Sequence, residues 1–151
     1  MKSRVGTISV ALLVLALSFS AFAKERIKTD GKNPKVSPIK VTKLDFSDGG
    51  GSSVVQPDLY PIMVSATIQN TSKEDELKNV VFHLQLKNGA DDVLQDFTKT
   101  VGALKPGASF SYDADPYYNY NRIPLHADVL VEHDPIEKKP GATPTPGSEK
   151  K

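Results

Sequence analysis

The stretch IMVSATIQ, Ile62–Gln69, decides the fold: Ile62, Val64, Ala66 and Ile68 alternate with Met63, Ser65, Thr67 and Gln69. A period of two puts one set on each side of an extended chain, whereas a helical stripe would recur every 3.6 residues. One face therefore packs inward and the other meets water. The pattern recurs in VVFHLQLK, where Val80, Phe82, Leu84 and Leu86 oppose Val81, His83, Gln85 and Lys87. It recurs again where Leu125, Ala127, Val129 and Val131 alternate with His126, Asp128, Leu130 and Glu132. Ala108, Phe110 and Tyr112 make a shorter strand. Between Ile39 and Phe46 the apolar parity changes, from Ile39 and Val41 to Leu44 and Phe46, which predicts a bulge or a strand that crosses between sheets. Asp92–Val101, with Val93, Phe97 and Val101 on one parity and Leu94 on the other, reads as an edge strand.

The connections between these runs carry turn chemistry. Asn70-Thr71-Ser72, Asn88-Gly89, Pro106-Gly107 and the stretch Asp48-Gly49-Gly50-Gly51-Ser52-Ser53 all suit positive φ or an Asx-turn. No window of eleven residues carries a helical stripe, and Ser72–Glu76 offers one helical turn at most. Six strands, or seven if Val54 and Val55 pair, predict an all-β antiparallel sandwich over 36–134. A small closed barrel competes, but unequal loops and the parity switch favour the sandwich.

The whole chain has 151 residues, 38% of them hydrophobic, with no Cys and no Trp, and a formal charge of +1. That length suits one domain, and no disulfide or thiol chemistry is open to it. A surplus of one positive charge excludes an electrostatic nucleic-acid binder, which needs many Lys and Arg to neutralise phosphates.

Residues 1–23 read as a secretory signal peptide: Lys2 and Arg4, then an apolar run from Ile8 to Phe19, then the small-x-small sequence Ala21-Phe22-Ala23. The run falls short of the roughly 20 residues that a membrane helix needs, and Lys24 stands where a lipoprotein would have Cys. Cleavage after Ala23 would leave 17 basic against 18 acidic residues, free of a membrane span, in the periplasm or outside the cell. Residues 24–35, with five basic side chains and no periodicity, read as a flexible basic arm. The tail 135–151, PIEKKPGATPTPGSEKK, reads as disordered.

Several of these residues together resemble a family. Ile68-Gln69-Asn70-Thr71-Ser72, Leu77-x-x-Val80-x-Phe82-x-Leu84, Asn88-Gly89, Val93-Leu94 and Leu104-Lys105-Pro106-Gly107 resemble the small bacterial immunoglobulin-like domains of FxLYD and CARDB type. The resemblance covers about Ile62 to Tyr112, and it departs after Leu84, where Gln85 and Leu86 replace the expected Tyr and Asp. It implies an immunoglobulin-like sandwich serving adhesion, assembly or ligand presentation. It carries no catalytic residues to transfer.

Four of the five tyrosines lie between Tyr112 and Tyr120. Tyr117, Tyr118, Tyr120 and Arg122, interleaved with Asn119 and Asn121 between Pro116 and Pro124, are the candidate partner-binding residues. Tyrosine offers a large contact area with few torsions to freeze. The bland alternative is that these rings plug one end of the sandwich. The expected partner is an envelope or extracellular protein, with carbohydrate or calcium binding by the same loop as the alternative. Asp113 and Asp115 ahead of Asn119 and Asn121 suggest oxygen ligands, but they lack the Gly and distal Glu of a calcium loop and read first as turn residues. His83, His126 and Asp128 share the water-facing parity, which ordinarily means solvated side chains rather than a metal site. Gly49-Gly50-Gly51-Ser52 lacks the Lys of a phosphate loop, and no nucleophile elbow is present. The expectation is a non-enzymatic domain without cofactor or metal.

Overall fold

In the computed structural model, residues 25–48 and 59–137 are described. They form eight strands: β1 (Ile27–Thr29), β2 (Ile39–Asp48), β3 (Leu59–Asn70), β4 (Leu77–Lys87), β5 (Val93–Leu104), β6 (Ser109–Ala114), β7 (Tyr117–Asn119) and β8 (His126–His133). A 3-10 turn at Tyr120–Arg122 is the only helical element among the described residues. The fold is all-β, in two antiparallel sheets: β1-β8-β4-β5, and β2-β3-β6 with β7 paired to the start of β3.

The alternation read from the sequence sorts the residues as physics requires. Ile62, Val64, Ala66 and Ile68 of β3 are buried together with Val80, Phe82, Leu84 and Leu86 of β4 and Ala127, Val129 and Val131 of β8. Phe82 meets Phe110 and Tyr112 edge-on across the interior, with ring centroids 5.4 and 6.1 Å apart. Burying each Ile, Val, Leu or Phe of this set stabilises by roughly 1.5–3 kcal/mol, which is the main source of stability in a chain without disulfides.

The parity change in β2 is a bulge rather than a crossing: the register with β3 shifts between Val41 and Lys43, and Thr42 is the extra residue. β5 is an edge strand, as its mixed parity predicted. A second irregularity near Gly102, at φ +83°, lets both Val101 and Leu104 turn inward. The Pro106-Gly107 turn closes with Ala108 N–H donating to Lys105 O at 3.0 Å and Gly107 at φ +73°.

Three expectations need correction. The basic arm 24–35 is not wholly a solvated linker, because Ile27–Thr29 pairs with Val131–His133 and Thr29 is buried. Its single Ile, flanked by charges, is too short a signal for periodicity to detect. Leu125, on the inward parity of the last strand, lies just before β8 and is 65% exposed. Ile136, read as part of the tail, packs against the core. The expected roles of 1–23, Gly49–Ser53, Val54, Val55 and the tail beyond Glu137 lie outside the described residues.

Candidate tyrosine cleft and its surroundings

β6 hands the chain to β7 through Asp115 and Pro116, and Ile62 N–H donates to Pro116 O at 2.9 Å. β7 then lies antiparallel to the start of β3, with Pro61 opposite Tyr117, Tyr60 opposite Tyr118 and Leu59 opposite Asn119. The next turn is capped by Asn119, whose side chain accepts from Asn121 N–H at 3.2 Å. Buried Pro124 and core-packed Ile123 anchor its far side.

Three of the four residues singled out in the sequence converge. Tyr117, Tyr118 and Arg122 line one cleft of about 170 Å³ with Leu94 and Asn119. They differ in role. Tyr118 points inward, packs against the core and donates its hydroxyl to Gln95 Oε1 of β5, tying the two sheets together. Burial raises its pKa above the ordinary value of 10.0, because the phenolate would lose hydration. Tyr117, opposite in parity, is 57% exposed. Arg122 is exposed, and no ion pair holds its guanidinium among the described residues. Tyr120 opens the 3-10 turn, and its side chain lies outside what is described.

The other candidates stay apart. Asn119 is engaged by its cap, while Asp113 lies on β6 opposite Ser65 and lines a separate groove with Asp45 and Asp115. Nearby Lys43 bonds Asp45 at 2.9 Å, and this contact raises the lysine's pKa. His83 Nδ1 lies 3.2 Å from Asp96 and from Thr98 Oγ1 on β5. His126 faces Asp91 at 2.9 Å, and Asp128 bonds Lys87 at 2.6 Å. The three residues therefore have separate partners, and no group of three His, Cys, Asp or Glu is placed to hold a metal among the described residues.

The third histidine escaped the sequence reading. His133 is fully buried: its Nδ1 lies 2.6 Å from Asp134 O and its Nε2 2.7 Å from Ser37 Oγ. A carbonyl only accepts, so Nδ1 carries the hydrogen; in the neutral ring Nε2 then accepts from the Ser37 hydroxyl, and Ser37 Oγ accepts from Ile39 N–H at 3.3 Å. Both side chains are closed to solvent, at 1% and 0% exposed, and the pair clamps the segment before β2 to the end of β8. The available signal was parity: 133 continues the inward series 127, 129, 131.

No family model matches the chain, and no curated protein matches it. Among solved structures the chain is similar to the crystal structure of an ApaA protein from Bordetella pertussis. The two are 18% identical over 63% of this chain and 94% of that one, with a TM-score of 0.37.

Proposed function

We propose that this chain is an exported, non-enzymatic domain of immunoglobulin-like type, akin to the FxLYD and CARDB domains, that binds another envelope or extracellular protein. The signal-peptide pattern of 1–23 supports export to the periplasm or beyond. The sheet order, with β2-β3-β6 facing β8-β4-β5, supports the immunoglobulin-like reading. The observation that carries the contact role is the cleft at β7 and the turn after it: Tyr117 stands exposed on the short strand, Arg122 stands exposed at the end of the 3-10 turn, and Tyr118 between them is locked to the opposite sheet. Exposed Tyr and Arg on a fixed backbone are the residue types that dominate binding energy at protein interfaces.

The test is recovery of a partner from an envelope extract by the parent protein and by the double variant Tyr117→Ala with Arg122→Ala. Tyr118 is left intact because its loss would loosen the fold. Recovery should fall at least ~10-fold, equivalent to about 1.4 kcal/mol, with an unchanged melting temperature. Full recovery by the double variant would remove this cleft from the contact. A melting temperature raised by calcium or by an oligosaccharide would favour the ligand-binding alternative instead.

A further inference from the structure

The edge of β8 is covered along only part of its length. β1 pairs with Val131–His133 and turns away at Gly31, φ +80°. Over His126–Leu130, no strand among the described residues is hydrogen-bonded to that edge, since β4 lies on the other side. Beside it runs a groove of about 420 Å³, with Val41, Leu44, Val129 and Leu130 as apolar lining and the Lys87–Asp128 ion pair as polar lining. An unpaired backbone row over apolar side chains is a template for an added strand.

The chain contains a segment with the grammar of an edge strand. In PGATPTPG, residues 140–147, Pro140, Ala142, Pro144 and Pro146 share one parity, and Thr143 and Thr145 the other. Alternate residues of a strand aim their N–H groups to opposite sides, so the prolines would all fall on one edge and the threonine donors on the other. Proline is tolerated in an edge strand when it faces away from the ladder. The five residues Ala142–Pro146 match in length the five uncovered residues His126–Leu130. Side-chain faces alternate too: added parallel to β8, the segment would set its proline rings on the face of Val41, Leu44 and Val129 and its threonine hydroxyls on the face of Lys87, Asp128 and Leu130.

Within one molecule the path is obstructed. The chain leaves β8 at the end that β1 covers, with Asp134 N–H bonded to Lys78 O, Ile136 on the core, and Glu137 lining a cavity with Glu74 and Lys78 on the β4 side of β8, away from the groove. We propose that residues 140–147 of one copy add to β8 of a second copy as an edge strand over His126–Leu130, joining copies head to tail. Such a contact closes as a dimer or ring where two or more copies exchange segments and runs on as an open chain where they do not, and in either case the mean mass rises with concentration.

Sedimentation velocity on the chain from Lys24 to Lys151, over a ~50-fold concentration range reaching several hundred micromolar, tests this. The mean mass should rise with concentration, and an excess of synthetic peptide 138–151 should return it to the monomer. Thr143→Pro with Thr145→Pro removes the two inward donors and should abolish association, whereas Ala142→Pro, on the outward parity, should preserve it. Leu44→Glu should also give a monomer, with the melting temperature held within a few degrees. A parent chain that stays monomeric throughout overturns the proposal. So does association that ignores the peptide, or that responds equally to proline at both parities.

Discussion

Asn70 shows how a single polar side chain can hold three segments. Fully buried, it donates through Nδ2 to Asp75 O at 2.8 Å and Leu104 O at 2.9 Å, and its Oδ1 accepts from Ser72 N–H at 3.0 Å. Asn70→Ala strands two carbonyls and an amide, and should cost about 2–3 kcal/mol in urea unfolding. Asn70→Asp should cost no less, because a carboxylate cannot donate. Ser37→Ala leaves His133 Nε2 without a donor in the interior and should cost about 1–2 kcal/mol. Tyr118 gives the pH dependence. Its folded pKa is raised by burial, so the native state holds the proton more tightly than the unfolded chain does. The resulting stability is present below the ordinary tyrosine pKa and is lost as pH rises through the folded value. The melting temperature should therefore drop through the alkaline range above about pH 10, and less steeply in Tyr118→Phe.

At the scale of elements, glycine marks where strands must bend. Gly31 and Gly102 both sit at positive φ, but a side chain at Gly102 would meet nothing within 4 Å, whereas one at Gly31 would come within 3.1 Å of Val41 N. Gly102→Ala should cost about 1–2 kcal/mol, the backbone term alone. Gly31→Ala adds a clash against β2 and should cost more. Hydrogen exchange would separate the two, with amide protection of Val131 lost in the Gly31 variant and retained in the Gly102 variant. The β2 bulge at Thr42 does related work, since it lets Ile39 and Val41 as well as Phe46 turn toward the core from one strand.

The molecule as a whole is wired by pairings between distant parts of the chain: the first strand lies on the last, and β2 shares a core with β8. Such topology requires loop closure before contacts reward it, so folding should take milliseconds to seconds in stopped-flow experiments. β1 contributes three residues at an edge and should dock after the main barrier. Ile27→Ala should then speed unfolding while leaving the folding rate nearly unchanged. A matching fall in the folding rate would place the arm in the nucleus instead.

The period of two by itself determined the strand class, the inward set on β3, β4 and β8, the bulge in β2 and the edge position of β5, because alternation is a local property that water reads directly. It also brought Tyr117, Tyr118 and Arg122 forward as a group, since composition concentrates there. Which tyrosine faces solvent depended on the partner strand: Tyr118 is pinned by Gln95, a residue 23 positions away. The same holds for β1, which is held by β8 rather than by its own composition, and for His133, whose partner Ser37 lies 96 residues earlier. Contacts of that separation are made when strands distant in sequence pair within a sheet or pack across the two sheets, and no local pattern of side chains encodes them.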